Sequence, residues 1–424
     1  MFSERTNWKL GRNRFTQAIE EARGAGTKLL DLTASNPTRV GLKYDSAAIL
    51  SALGSSRSLD YDPQPKGLLE ARRAVGRYYA ELSGGPLKPD FGLSGEEVHS
   101  ERMILTTSTS EGYSFVFRLL CNAGDELLVP KPSYPLFEFL ADLQDVKLVP
   151  YPLIYDHGWQ MDFHSLERAV TPRTRGVVVV HPNNPTGSYV KVEEREELNA
   201  FCRECGLAVI VDEVFLDYVI EFPGLAKSAR PFDGLRAGSG APQFGRTSFA
   251  ANQEVLTFTL SGLSKISALP QMKVAWIVTS GPEEQIESAM ARLEVIADTY
   301  LSMNAPLQWA VPILLEQRRD IQKQFRERVS ANLAELDRQL AAQKACQRLE
   351  VEGGWYAVLR VPVMRTDEEL AIELVREKGV VVHPGHFYDF ESDGHLVLSL
   401  ITQEQEFSEG IERILRFLAA DQAR

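Results

Sequence analysis

Apolar runs of strand length alternate with helical patterns through the middle of the chain. The strand-like runs cover residues 103–105, 126–129, 146–149, 176–180, 207–211, 255–260 and 274–278. Helical patterns lie between them at 111–121, 136–143 and 192–205, and Gly206 follows the last of these as a plausible C-cap. This alternation predicts an α/β domain built on a mostly parallel sheet.

The pattern changes after residue 278 to long helices at 283–301 and 306–343, then to a helix and strand region that ends in a helix at 408–420. We therefore predict a large domain over 46–290 and a small C-terminal domain over 291–424, with 1–45 forming an N-terminal arm and part of the small domain. The stretch 222–253 is rich in Gly, Pro and Ser and too long for an ordinary connector, which predicts an exposed insertion.

Composition narrows the classes of partner. The 424 residues carry a net charge of -12, which argues against nucleic acid or an anionic membrane surface, because both favour clustered Lys and Arg. The polar N-terminus and the lack of a bilayer-length apolar run predict a cytoplasmic protein. Cys202 and Cys205 lie in a helical pattern without a second pair at zinc spacing, so structural thiols are favoured over a metal or redox site, and no metal is expected.

Polar groups follow four of the predicted strands, where open α/β sheets place their ligands. The Thr- and Ser-rich turn 106–112 precedes a helix and suits a phosphate, although Ser and Thr also simply cap helices. Asp212 ends an apolar strand and needs a partner: a protonated pyridine nitrogen, a core arginine or a hydrated loop. Lys265 also follows a strand; if buried, its neutral amine could form a Schiff base with an aldehyde cofactor, and otherwise it is a solvated loop lysine.

The order of these segments carries a family resemblance. The phosphate turn, Asn184-Pro185-Thr186-Gly187, Asp212-Glu213 and the run 261–265, together with 31–37 and Tyr61, resemble the pyridoxal-phosphate-dependent aminotransferases of the aspartate aminotransferase superfamily. The resemblance implies a three-layer, mostly parallel sheet in the large domain and a smaller α/β C-terminal domain. It also implies pyridoxal 5'-phosphate as cofactor and ping-pong transfer of an amino group from an amino donor, such as an amino acid, to a keto acceptor.

The resemblance assigns a role to each matching residue. Lys265 would hold the cofactor as an internal aldimine and shuttle a proton, and Asp212 would keep the pyridine nitrogen protonated. Asn184 would donate to the phenolic oxygen, and Tyr134 would stack on the ring, unless Tyr134 is an ordinary core tyrosine. The phosphate would be held by Ser108, Thr109, Ser110, Ser264 and Lys273.

Tyr61 resembles the tyrosine that such enzymes extend to the phosphate of the neighbouring subunit, which implies a homodimer with shared active sites. Small-molecule donors and acceptors would be the other partners, and neither nucleic acid nor a membrane is expected.

Three departures concern the cofactor. Phe215 stands where many relatives have a tyrosine that hydrogen-bonds the phenolic oxygen. Gly262 stands where a serine commonly helps to hold the phosphate, with Ser261 as a substitute. Lys273 replaces an arginine and loses its two-pronged geometry.

A fourth departure concerns the substrate. Val397 stands where relatives carry an arginine that binds the substrate α-carboxylate. Either another cation, such as Arg39 or Arg360, takes over this role, or the substrate is not an ordinary α-amino acid. Each of these two arginines is otherwise a surface charge.

Two other functions fit parts of the same pattern. A lyase or decarboxylase could use the same cofactor on the same fold, because fold does not fix reaction type. A cofactor-binding regulator would need an added DNA-binding segment, for which the ~45 residues before the family match are too few and the acidic charge is unfavourable.

Overall fold

A computed structural model describes residues 1–8, 10–82, 100–135, 137–220, 247–301 and 303–422 of the chain. The larger sheet has eight strands in the order β2-β9-β8-β7-β6-β3-β4-β5. Their bounds are β2 Met103–Thr106, β3 Glu126–Lys131, β4 Lys147–Tyr155, β5 Trp159–Met161, β6 Thr174–Val180, β7 Ala208–Asp212, β8 Thr257–Gly262 and β9 Ala275–Ser280. The pairs from β4 through β3, β6 and β7 to β8 are parallel, whereas β9 runs antiparallel to both β8 and β2.

Helices cover both faces of this sheet, so the central strands are apolar on each side, as parallel strands usually are. One face packs against Thr109–Leu120 and Glu283–Thr299. The other packs against Phe163–Ala169 and Val192–Cys205 at one end, and against Leu69–Leu82 and Ala305–Glu316 at the other. The three-layer α/β architecture is therefore confirmed.

A second, smaller sheet has the order β10-β11-β14-β13 and is antiparallel. Its strands are β10 Gln347–Arg348, β11 Tyr356–Arg360, β13 His383–Pro384 and β14 His395–Ser399. Beside it, β1 Leu30–Asp31 pairs in parallel with β12 Val380–Val381. The remaining α-helices among the described residues are Arg14–Gly24, Ser46–Leu53, Phe137–Asp142, Leu263–Ile266, Arg318–Leu340, Asp367–Glu373 with a π-helical turn Leu374–Lys378, and Glu404–Gln422.

The N-terminal segment joins the C-terminal part of the chain. Beyond the β1–β12 pair, Phe15 and Ala18 of the first helix share a core with Ala371 and Val375. This placement agrees with assigning the first residues partly to the small domain; the domain boundaries themselves stay a prediction.

All seven strands expected from the sequence are present, and so are the three helices between them, with Gly206 in the left-handed region at φ 66°. One expectation was wrong in detail: the single helix expected over 306–343 is two helices that meet at Gln317. The expected insertion 222–253 lies mostly outside the described residues, and its described end, 247–253, is partly exposed and partly buried.

Residues 247–253 pack partly into the core, although Thr247, Ala251 and Gln253 are exposed. Phe249 is 0% exposed and Asn252 is also buried. The carboxylate of Glu213 accepts hydrogen bonds from the Phe249 amide (2.6 Å) and the Ser248 hydroxyl (2.7 Å). These tertiary contacts return the segment to the core beside β7. No helix among the described residues is long and apolar enough to cross a membrane.

Candidate active site

Strand register brings the predicted site residues to one edge of the large sheet. Val180 pairs with Asp212, and Asp212 pairs with Leu260, so the segments that follow β6, β7 and β8 leave the sheet side by side. At the same edge Ala275, the first residue of β9, pairs with both Gly262 and Thr106. The turn 107–110 and Lys273 therefore meet the segments that carry Asn184, Asp212 and Lys265.

Lys265 lies in the one-turn helix Leu263–Ile266 directly after β8. Its Nζ atom is 4.9 Å from the ring centroid of Trp355 and 5.6 Å from that of Phe215. Burial lowers the pKa of Lys265 to about 8, while the negative charge of Asp212 acts in the opposite direction. A substantial fraction of the amine is thus neutral near physiological pH, which a nucleophilic lysine requires.

Asp212 is held at the end of β7 by two donors. The Tyr113 hydroxyl donates to its Oδ2 at 3.2 Å, and the Val214 amide donates to its Oδ1 at 3.1 Å. Burial raises the pKa of Asp212 to about 6, against these two hydrogen bonds and the charge of Lys265. At neutral pH the group is a partly buried carboxylate that a cationic ring nitrogen would stabilise.

Asn184 and Tyr134 come from neighbouring loops that are tied together. Asn183 donates through Nδ2 to the carbonyl of Pro132 (3.0 Å), and Ser133 donates to Oδ1 of Asn183 (3.2 Å). The buried Oδ1 atom of Asn184 has no hydrogen-bond partner among the described residues. Tyr134 is 43% exposed, and its pKa is raised by burial and by the charge of Asp212. Both side chains can therefore still accept a ligand.

The predicted phosphate turn caps the helix Thr109–Leu120. Ser108 is the N-cap, and its hydroxyl accepts a hydrogen bond from the Glu111 amide at 3.1 Å. Thr109 and Ser110 form the first turn, where backbone N–H groups lack helical partners and attract anions. Glu111 turns its carboxylate back to Thr107, whose amide donates to it at 2.6 Å.

Two further phosphate candidates flank this turn. Ser264 precedes Lys265 in its short helix. Lys273 is exposed, adopts a left-handed conformation at φ 52°, and forms no ion pair within the described part of the chain. Its ammonium group is thus available to an anion at the start of β9.

The structure does not favour Ser261 as a substitute for the serine missing at 262. The Ser261 hydroxyl is buried and donates to the carbonyl of Glu213 at 3.3 Å. A Cβ atom on Gly262 would lie 2.7 Å from the carbonyl oxygen of Val274. A side chain at 262 would need a different spacing of β8 and β9.

Tyr61 differs from the other candidates because its side chain is 85% exposed. A tyrosine that contributes to a neighbouring subunit would have this exposure in a single chain, and its expected role stays a prediction.

Neither strand partner of Val397 carries the positive charge that the expected arginine would supply. Val397 is buried and pairs with Val358 and His383. Burial lowers the pKa of His383 to about 4, so its ring is neutral, and its Nδ1 lies 3.0 Å from the Tyr388 hydroxyl. Of the two alternative cations, Arg360 lies over the ring of Tyr155 (5.5 Å), which is none of the predicted site residues, and Arg39 is exposed.

Several contributors were not anticipated from the sequence. Tyr113 follows Ser110 by three residues, one helical turn, and this spacing could have identified it. Tyr356 begins β11 of the small sheet and Trp355 directly precedes it. Tyr356 packs 6.4 Å from both Phe215 and Tyr388, measured between ring centroids. No local pattern links that sheet to Lys265, because the contact forms only when the chain folds back.

Comparisons with a family model and with curated proteins both identify aminotransferases as similar to this chain. The family model "Aminotransferase class I and II" matches residues 27–414. The chain is 25% identical over 403 residues to a glutamate-pyruvate aminotransferase of Haemophilus influenzae, covering 93% of this chain and 91% of the relative. It is 26% identical over 408 residues to an aspartate/prephenate aminotransferase of Thermus thermophilus, covering 94% and 93%.

Solved structures share the fold. An alanine aminotransferase from Pyrococcus furiosus matches with a TM-score of 0.81 at 20% identity, covering 99% of this chain and 100% of that one. An aminotransferase from Escherichia coli matches with a TM-score of 0.80 at 22% identity, covering 99% and 98%.

Proposed function

The chain belongs to the class I and II aminotransferases, and from that premise we propose that Lys265 is the residue that binds pyridoxal 5'-phosphate covalently during amino-group transfer. The observation that carries this proposal is the position of the partly buried Lys265, whose Nζ atom lies against the rings of Trp355 and Phe215 and whose pKa is lowered, within electrostatic range of the partly buried Asp212 carboxylate. A lysine with no ion pair among the described residues seldom occupies such a position without a chemical role.

The residues present fit the cofactor. The Asp212 carboxylate would pair with its pyridine nitrogen, and the helix that begins at Thr109 would accept its phosphate together with Lys273. Asn184 has a buried amide oxygen that no described residue hydrogen-bonds. An asparagine amide offers both a donor and an acceptor, so rotation of the amide can present its N–H to the phenolic oxygen. Phe215 cannot replace that donor, since its ring has no hydroxyl. When bound, the cofactor supplies an aldehyde that reacts with amines and a ring that accepts electrons.

Lys265 would also move a proton. A group with a pKa near the working pH both takes and releases a proton readily, and the Nζ atom of Lys265 meets that condition. The rings of Phe215 and Trp355 border Nζ and keep bulk water from it, which preserves the lowered pKa.

We propose an α-amino acid as donor and a 2-oxo acid as acceptor, the substrate class in the names of the relatives. We also propose a cytoplasmic homodimer in which Tyr61 reaches the partner's site. The dimer is supported by large apolar side chains exposed on elements that contact one another: Leu50 on the helix Ser46–Leu53, Ile313 on the helix Ala305–Glu316, and Leu59, two residues before Tyr61. Clustered exposed apolar side chains usually mark an interaction surface.

The test is to treat the protein, loaded with pyridoxal 5'-phosphate, with borohydride and to map the modified peptide. Modification should fall on Lys265, and Lys265→Ala should lose both the stable adduct and transamination. Lys273→Ala is the matched control: it should bind the cofactor more weakly yet still carry the adduct on Lys265. An adduct retained by Lys265→Ala would refute the assignment.

A further inference from the structure

The helix that carries Lys265 ends after a single turn, where the Ala268 amide donates to the Lys265 carbonyl at 3.1 Å, and the carbonyl groups of this turn can accept further hydrogen bonds. Three side chains from distant segments donate to this turn. The Tyr218 hydroxyl bonds the carbonyl of Lys265 itself (2.6 Å), Gln322 Nε2 bonds that of Ile266 (3.0 Å), and the Tyr44 hydroxyl bonds that of Ala268 (2.9 Å). These three tertiary hydrogen bonds hold the backbone around Lys265 in addition to its local backbone hydrogen bonds.

We propose that Tyr218 and Gln322 are positioning residues that keep the Nζ atom of Lys265 in its aromatic pocket by fixing the backbone of the lysine turn. The proposal rests on the role of Lys265 in the proposed function. Neither residue contacts the Nζ atom in the described structure; both act through the carbonyl groups at 265 and 266.

Tyr218 contacts the aromatic pocket around the Nζ atom of Lys265 as well as the backbone of the lysine turn. Its ring packs edge to face on Trp355 at 5.3 Å and lies 6.4 Å from Phe215, measured between centroids. Those are the two rings that border Nζ. The Tyr218 hydroxyl fixes the backbone of Lys265, and the Tyr218 ring supports the two aromatic rings that border the Nζ atom.

A hydrogen bond with Asp217 holds the side chain of Gln322 in place. The Asp217 carboxylate is hydrogen-bonded to Gln322 and accepts from the Tyr78 hydroxyl at 2.8 Å. Gln322 lies in the helix Arg318–Leu340, whose Phe325 stacks on Trp355 at 4.5 Å with an interplanar angle of 14°. One helix therefore contacts both the lysine turn and the aromatic pocket.

Loosening this turn has a measurable chemical effect. The pKa of Lys265 is low because Nζ is desolvated, so a more mobile turn that admits water should raise it toward the ordinary lysine value. A substitution that only weakens the fold, far from the turn, should leave the pKa of Lys265 unchanged.

The experiment is competitive labelling with fluorodinitrobenzene across a pH series, on the full chain freed of cofactor, with mass spectrometry of the Lys265 peptide. The midpoint of the pH profile is the readout, because it reports the pKa of the amine rather than access to it. The variants are Tyr218→Phe and Gln322→Met. Tyr151→Phe is the control, since its buried hydroxyl also donates to a backbone carbonyl, that of Val178 (2.9 Å), away from the lysine turn.

We expect both variants to raise the midpoint by about half to one pH unit, while the control leaves it unchanged at a similar loss of thermal stability. An unchanged midpoint in Tyr218→Phe and Gln322→Met overturns the proposal, and so does an equal shift in Tyr151→Phe. If Tyr218→Phe does not fold, Gln322→Met decides. Because this labelling uses no cofactor, its outcome is separate from that of the borohydride test.

Discussion

The Tyr113 hydroxyl donates a hydrogen bond of 3.2 Å to Oδ2 of Asp212, so a helix on one face of the sheet stabilises the charge at the end of β7. This bond opposes the effect of burial on the pKa of Asp212. Together with the stronger effect of the Val214 amide, Tyr113 favours the ionised carboxylate, as a partner for a cationic ring nitrogen must be.

Tyr113→Phe should therefore raise the pKa of Asp212 and weaken cofactor binding. A hydrogen bond of this kind contributes about 1 kcal/mol, which corresponds to roughly fivefold in the dissociation constant. Titration of the cofactor-free protein with pyridoxal 5'-phosphate at several pH values measures the change. Unchanged affinity at every pH would contradict this role of Tyr113.

The rate of covalent cofactor capture should depend on pH in a defined direction. The neutral amine of Lys265 is the reactive form, and its pKa is lowered to about 8, so the rate should rise with pH and level off above that value. Protonation of Asp212, whose pKa is about 6, should slow capture further in acid. Stopped-flow absorbance gives the profile; a rate that continues to rise toward pH ~10.4, the ordinary lysine value, would contradict a desolvated amine.

Mixing two defective variants tests whether the active sites are shared. Lys265→Ala and Tyr61→Ala should each have little activity. If Tyr61 serves the partner's site, half of the subunit pairs formed by random exchange are mixed and each mixed pair has one intact site, so activity should recover to about a quarter of the unmodified level.

Transaminase activity is measured after equal amounts of the two variants have been refolded together. If Tyr61 served its own subunit, both sites of every mixed pair would be defective and no activity would return. A chain that sediments as a monomer at micromolar concentration would contradict the dimer itself.

Arg360→Ala tests whether this arginine binds the substrate carboxylate. Its guanidinium group lies over the ring of Tyr155, so we expect the KM for amino acid donors to change less than about twofold. Steady-state kinetics with alanine and glutamate measure it. A rise of tenfold or more with unchanged kcat would instead assign carboxylate binding to Arg360.

Gly187 closes the loop that carries Asn184 and has no room for a side chain. Its φ is +70°, and an added Cβ atom would lie 2.5 Å from the carbonyl oxygen of Gly353. Gly187→Ala should lower the free energy of unfolding by about 2 kcal/mol or more, measured by denaturant titration. Gly206→Ala is the control: its φ is +66° but its surroundings are open, so it should lose only about 1 kcal/mol. Equal losses would show that the close approach at Gly353 is unimportant.

The strands of this fold could be predicted from the pattern of apolar residues along the chain. Runs such as Val177–Val178–Val179 are apolar at every position because helices cover both faces of a parallel sheet, so the strands could be identified without the structure. The break at Gln317 could not, since residues on both sides of it favour a helix. The packing of Phe249 was also not predictable, because it depends on the carboxylate of Glu213, 36 residues away.

By itself, the sequence determined which groups follow the strands: the turn at 108–110, Asn184, Asp212 and Lys265. Parallel strands end at a common edge, so strand order in the chain was enough to predict that these groups meet. Only the tertiary structure decided the surroundings that control their chemistry. Trp355, Tyr218 and Gln322 reach the lysine turn or the Nζ atom through long-range contacts. Burial lowers the pKa of Lys265, an effect that depends on which atoms exclude water and that no local pattern of residues encodes.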